Sequence, residues 1–299
     1  METQYFKDLP LSMEVLKSID DLGFDELFPI QAQAITPMLA GKDVIGQAQT
    51  GTGKTAAFGV PMVERSDPDL KKVQGLVLVP TRELAIQVAK HISLFAKHKK
   101  LRVLAVYGGT SIGRQINLLR NGVQIVVGTP GRLIDLLERR VLDLTSVRVA
   151  ILDEADRMLD MGFIDDIRHI LSRVPSKRQT GLFSATIDRS VMKDCNRFMK
   201  NPEKILMSKD EIGLTQIKQY YMVLNPHSKL QILCDILNEN HMGRTIVFCK
   251  TRRTTSNLAE KLRRKGYNAG AYHAGFTQAQ REYVTNSFRK GCYEWSFDS

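Results

Sequence analysis

The sequence predicts an α/β protein: a parallel sheet with helices on both faces, followed by a second, incomplete α/β unit. Short apolar, β-branched runs recur along the chain, and a helical pattern follows each one. The runs are continuous rather than alternating, the mark of strands buried on both faces. Gly or Pro closes most of them, placing loops at the strands' carboxyl ends, where open α/β sheets bind ligands.

The runs come in the order "DVIGQA" (43–48), "VQGLVLVP" (73–80), "RVLAVYGG" (102–109), "VQIVVGTP" (123–130), "VRVAILDEAD" (147–156) and "TGLFSAT" (180–186). The segment "NPEKILMSKDEIGLTQIKQYYMVL" (201–224) breaks this rhythm and reads as a linker into a new unit. Beyond it, "RTIVFCK" (244–250) is a fresh buried strand. "TRRTTSNLAEKLRRKG" (251–266) is a capped amphipathic helix ending at a glycine, and "YNAGAYHAG" (267–275) is another strand with its loop. The expected division is a first domain over 1–206, a linker over 207–216 and a partial second domain over 217–299. Too few residues remain there for a typical domain of about 100–150.

A chain of 299 residues is long for one core, which agrees with two domains. Hydrophobic content of 43% with 25% charged residues is that of a soluble globular protein. Cys195, Cys234, Cys249 and Cys292 show neither CxxC nor Cys/His metal spacing, so idle thiols in a reducing cytoplasm are expected. "METQYFKDLPLSM" has no apolar core of a signal peptide, and no later run approaches membrane-spanning length. The expectation is a cytoplasmic protein without a membrane partner. The net charge of +11 suits a polyanionic partner, although a generally basic, solvated surface explains it as well.

"AQTGTGKT" (48–55) follows a strand and opens a helical pattern, the setting a phosphate-binding loop requires. Gly51 and Gly53 let backbone N–H groups face phosphates. Lys54 reaches the β/γ oxygens, and Thr55 can offer its hydroxyl to Mg²⁺. Ala48, Gln49, Thr50 and Thr52 complete the loop. The bland alternative is a Gly/Thr-rich turn without a ligand. In "AILDEADRML" (150–159) an apolar strand delivers Asp153 and Glu154 at its carboxyl end. Asp153 would hold Mg²⁺ and Glu154 would polarise an attacking water, with Lys54 as the third catalytic group. Alone, the two acids could be an acidic helix N-terminus favoured by the dipole. Together, the two stretches point to hydrolysis of a nucleoside triphosphate.

These residues resemble those of the DEAD-box family of ATP-dependent RNA helicases, with "DEAD" itself at Asp153–Asp156. "GFDELFPIQ" (23–31) looks like the family's adenine-reading Q motif, with Phe6 the expected 17 residues ahead of Gly23. "PTRELA" (80–85), Gly108-Gly109 and "TPGR" (129–132) resemble its RNA-facing loops. "SAT" (184–186) resembles the element that couples ATP turnover to strand separation, and "IVFC" (246–249) and "QAQR" (278–281) resemble early motifs of the second domain. Coverage runs from about Phe6 to Arg289. The resemblance implies two RecA-like domains, ATP and Mg²⁺ as cofactors, and local unwinding or remodelling of RNA duplexes.

Beside each match stands its own physics. The Gln31 amide can pair with a donor and an acceptor on adenine's edge and so select ATP over GTP. Phe6 offers a face for the base, or is an ordinary hydrophobic anchor; Phe28 stands where the family usually has threonine. Thr81, Arg82, Thr129 and Arg132, with Pro80, Glu83, Gly108, Gly109, Pro130 and Gly131 around them, form the expected backbone track. Such contacts carry no base code, so RNA binding should be largely independent of sequence. Surface salt bridges are the alternative for each arginine. In the coupling element Ser184, Ala185 and Thr186, the Ser184 and Thr186 hydroxyls are expected to report the nucleotide state by bonding the Asp153/Asp156 pair, or else only to cap the next helix. The basic run from Lys250 to Lys265 is by default a solvated helix face.

The ending "CYEWSFDS" matches none of the strand, "RGLD"-like and "HRxGRxxR"-like motifs that the family carries next. From about Cys292 the expectation is a truncated or altered tail whose apolar residues have no core to join. An arginine finger is worth about 10³–10⁵ in turnover, so a chain without it should bind ATP but turn over weakly. A nucleotide-gated RNA clamp or competitor fragment is the non-enzymatic alternative; a DNA-translocating relative is the enzymatic one.

Overall fold

The computed structural model describes residues 4–49, 51–187, 197–207, 218, 220–224, 228–239 and 244–290, with the backbone of 295–298. They fall into two compact units, Met1–Gln216 and Ile217–Ser299. Among the described residues no helix is long and apolar enough to cross a membrane.

The six expected strand runs of the first unit all form strands: β1 (Val44–Gln47), β2 (Gly75–Leu78), β3 (Val103–Val106), β4 (Ile125–Gly128), β5 (Val149–Asp153) and β6 (Gln179–Ser184). A seventh, β7 (Glu203–Leu206), lies in the stretch read as the start of the linker. That reading is corrected, because the segment pairs along β1 from Val44↔Glu203 to Gln47↔Leu206. All pairings are parallel, in the order β3-β4-β2-β5-β6-β1-β7. Successive strand residues point to opposite faces and feed two cores. Val44, Val77, Ile125 and Ile151 face one, packed under the helices α1 (Met13–Asp20), α2 (Pro29–Leu39), α3 (Lys54–Glu64) and α4 (Arg82–Phe95). Ile45, Leu76, Leu78, Val126 and Leu152 face the other. There they meet α6 (Pro130–Glu138), α7 (Ala155–Asp160) and α8 (Ile164–Ser172), with α5 (Ile112–Arg120) packed at its margin.

The strand order decides which residues share the sheet's carboxyl edge. β5, β6 and β1 are neighbours, so Asp153, Ser184 and the loop after Gln47 emerge side by side. β3, β4 and β2 form the other half of that edge and present Gly108, Thr129 and Arg82.

The second unit contains α9 (Lys229–Glu239), β8 (Thr245–Phe248), α10 (Arg252–Arg264), β9 (Ala269–Ala271), α11 (Gln278–Arg289) and β10 (Trp295–Asp298). Its parallel sheet has the order β8-β10-β9. Two expectations are corrected here. β8 is not buried on both faces, since Ile246 is 52% and Phe248 76% exposed. The tail does supply a strand: the backbone of 295–298 occupies the middle of this sheet, pairing Trp295 with Thr245 and with Ala269. Cys292, from which that tail was taken to begin, lies outside the described residues.

Candidate functional site

The phosphate loop leaves the buried β1 strand and turns into α3 through two left-handed glycines, Gly51 (φ 85°) and Gly53 (φ 87°). No side chain caps α3, an arrangement of its first N–H groups that suits an anion. Lys54 is buried and donates through Nζ to the Ala48 carbonyl at 2.8 Å. The Thr52 hydroxyl donates to the Gln49 carbonyl at 2.7 Å. Thr50 lies outside the described residues.

Gln31 joins the loop from α2. Its Oε1 accepts the Phe28 amide at 2.9 Å and its Nε2 donates to the Gly53 carbonyl at 3.1 Å. A side-chain amide has two N–H donors and two acceptor lone pairs, so one of each is left for a base edge. Of the two readings of Phe6, its packing matches the hydrophobic anchor: it is only 2% exposed, and its ring stacks on Phe24 with centroids 6.4 Å apart. Phe24 and Phe28, both exposed, line the cavity instead. Phe24 was legible in principle, being a large aromatic placed directly after the left-handed Gly23.

One cavity of about 490 Å³ brings Phe24, Phe28, Gln31, Gly53, Lys54, Thr55, Asp153 and Glu154 together. Asp153 ends β5 and is buried. Burial pushes its carboxyl up to about 6, and the Lys54 ammonium works against that rise. Its Oδ1 accepts the Glu154 amide at 3.0 Å. Glu154 itself is held left-handed at φ 51°, ψ 49°, a strained setting for a residue with a side chain. Its carboxylate pairs with Arg157 at 3.2 Å. Among the described residues no group of three or more His, Cys, Asp or Glu could cage a metal. One buried carboxylate beside a threonine hydroxyl does fit Mg²⁺, which takes one or two protein oxygens and fills its shell with water and substrate phosphates.

Ser184 and Thr186 both reach Asp156. The Ser184 hydroxyl accepts the Asp156 amide at 3.2 Å; the Thr186 amide and hydroxyl donate to Asp156 Oδ2 at 2.9 and 2.8 Å. Burial pushes the Asp156 carboxyl up, but these bonds outweigh it and hold the group below its ordinary range. The expected bonds to Asp153 are thereby corrected: Asp153 sits deeper, at the strand end, while Asp156 projects from α7 towards the Thr186 turn. Ala185 accepts a longer bond from Gln47 Nε2 at 3.4 Å, which links this turn to β1.

On the other half of the edge, Thr81 caps α4 by accepting the Leu84 amide at 3.3 Å. Pro80 precedes it, and Glu83 sits in the first turn of α4. The Arg82 guanidinium lies over the glycine turn, close enough that a Cβ on Gly109 would meet it at 2.1 Å and one on Gly108 at 3.5 Å. Thr129 and Pro130 open α6, whose N-terminus has no side-chain cap, and Gly131 is open to solvent. Arg132 is turned inward. Its side chain is 12% exposed, and its N–H groups go to Gln115 at 3.0 Å and the Thr110 carbonyl at 3.3 Å. Gln115 escaped the sequence reading, because nothing in its local sequence marks it.

The profile of the "DEAD/DEAH box helicase" family matches residues 28–194, and that of the "Helicase conserved C-terminal domain" matches 228–295. The DEAD-box ATP-dependent RNA helicase CshA of Bacillus licheniformis is 46% identical over 289 residues, which covers 97% of this chain and 59% of that protein. The CshA of Geobacillus kaustophilus is 47% identical and is covered to 62%. The chain thus spans about three fifths of the length of these relatives. A DEAD box protein from Methanococcus jannaschii shares 37% identity with a TM-score of 0.67, over 99% of this chain and 80% of that one. Saccharomyces cerevisiae Dbp5 bound to RNA and ADP BeF3 shares 30% with a TM-score of 0.87, over 98% and 75%. The seven-stranded parallel sheet is accordingly RecA-like.

Proposed function

The chain belongs to the DEAD/DEAH box helicase family, and on that premise we propose that it is an ATP-dependent RNA helicase. The reading is that it couples ATP binding and hydrolysis to local, largely sequence-independent remodelling of RNA duplexes. The observation that carries it is the single cavity joining Gln31, the phosphate loop and the Asp153–Glu154 pair.

The residues divide the work as follows. Gln31 reads adenine with its remaining donor and acceptor while Phe24 and Phe28 wall the base. The N-terminus of α3 and Lys54 take the phosphates, for which Lys54 exchanges its bond to Ala48. Thr55 and Asp153 hold Mg²⁺, which when bound neutralises phosphate charge. Glu154, which lines the same cavity, orients the water. Asp156 senses this end and passes it to Ser184 and Thr186. RNA phosphates lie along Arg82, the Gly108–Gly109 turn and the uncapped start of α6. Residues 217–299 contribute part of a second helicase domain. With no disulfide role evident for Cys234 or Cys249, both free, the cytoplasm is the compartment that suits the chain.

Steady-state ATP turnover, with and without single-stranded RNA and with Glu154→Gln as the blank, tests this. RNA-dependent turnover above the blank supports the helicase. Nucleotide-dependent RNA binding without turnover supports a clamp, and neither activity overturns the reading.

A further inference from the structure

Gln115 projects from α5 against the Gly108–Gly109 turn and is 5% exposed. Its Nε2 donates to the Tyr107 carbonyl at 3.1 Å and to the Thr110 hydroxyl at 3.0 Å, one on each side of the two glycines. Its Oε1 accepts from Arg132 Nη1 at 3.0 Å. Arg132 closes the ring by donating from Nη2 to the Thr110 carbonyl at 3.3 Å, and its Nε faces Asp135 at 3.8 Å.

We propose that Gln115 is a positioning residue for nucleic-acid backbone binding, a strut that with Arg132 fixes the glycine turn against Arg82. This rests on the proposed RNA-binding reading. The turn has little to hold it by itself. Gly109 is left-handed at φ 82°, and glycines leave the chain many alternative conformations. Arg82 makes no side-chain hydrogen bond or ion pair among the described residues and lies directly over the turn. A moving turn would move the guanidinium with it. Preorganising both lowers the ordering cost of gripping a phosphate.

The chemistry requires an amide. Gln115 uses both N–H donors and its carbonyl at once. Glutamate keeps the acceptor for Arg132 but cannot donate to Tyr107 or Thr110. Methionine fills the space and makes none of the three bonds. Arg132 then acts from behind the turn and touches no phosphate.

The test is fluorescence anisotropy of a labelled single-stranded oligouridylate on the full chain, with Mg²⁺ and a non-hydrolysable ATP analogue, across a salt series. Gln115→Glu and Gln115→Met should each weaken RNA binding about tenfold. The slope of log K against log salt should stay at its wild-type value, because no phosphate contact is lost. Arg82→Ala should lower that slope by about 0.7. Combining Gln115→Met with Arg132→Gln should cost no more than either change alone, as members of one network do. The affinity for the ATP analogue should be unchanged throughout, which separates loss of positioning from loss of folding. Wild-type RNA affinity in Gln115→Glu, or a lowered slope in Arg132→Gln, overturns the proposal. A wild-type chain that binds no RNA overturns the RNA reading itself, and the strut's role with it.

Discussion

The Gln31 amide nitrogen donates to the Gly53 carbonyl at 3.1 Å, so the residue proposed to read the base is tied to the turn proposed to hold the phosphates. On the proposed reading, base and phosphate recognition share one hydrogen bond across a 22-residue separation.

Gly53→Ala tests that tie. The backbone stands at φ 87°, and a Cβ there would lie 2.2 Å from Gln31 Nε2. The alanine must either break the Gln31 bond or reopen the turn. A calorimetric titration should show ATP affinity lowered at least tenfold; wild-type affinity would show that the turn has slack.

Asp153 gives a pH-dependent prediction. Its carboxyl is raised from 3.8 to about 6, chiefly by burial. A raised group favours the fold while protonated, and that contribution is lost as pH rises through 4 to 6. At pH 7.5 with chelator and no nucleotide, the charged form costs on the order of 3 kcal/mol at most. Asp153→Asn should thus melt several degrees higher at pH 7.5 and no higher near pH 4. Equal melting points at pH 7.5 would mean that Lys54 offsets the burial.

Glu154 sits left-handed, where a side chain costs about 1 kcal/mol and glycine does not. Glu154→Gly should hold or raise the melting temperature by a few degrees while abolishing turnover. A marked loss of stability would show that the pair with Arg157 matters more than the backbone.

Thr186→Val removes one of the two bonds that Thr186 gives to Asp156 Oδ2 and leaves the amide in place. ATP affinity should stay within about twofold, since nothing in the cavity changes. The gain in RNA affinity on adding nucleotide should shrink several-fold, read as the ratio of RNA dissociation constants with and without an ATP analogue. An unchanged ratio would assign this hydrogen bond to local structure alone.

Most of the sheet was legible because β1, β2, β4, β5 and β6 are buried on both faces and so read as unbroken apolar runs. β7 was missed for the opposite reason. "EKIL" at 203–206 is a short edge strand with two charged residues, and only its pairing with β1 makes it a strand. β8 read as buried because "TIVF" is apolar, yet Ile246 and Phe248 face outward. At the site, the phosphate loop and the DEAD acids were readable because their chemistry depends on local spacing. For Phe6 and Arg132 the sequence left two readings open, because their partners are distant in the chain. Residue type alone cannot tell a stacking ring from one packed on Phe24, or a phosphate ligand from an arginine braced on Gln115.

The most direct test is an equilibrium titration of the chain with ATP and with GTP in Mg²⁺, repeated on Gln31→Ala. The account predicts that ATP binds at least tenfold tighter than GTP and that Gln31→Ala loses most of that preference. Equal affinities for the two nucleotides, or a preference that survives the substitution, would contradict it.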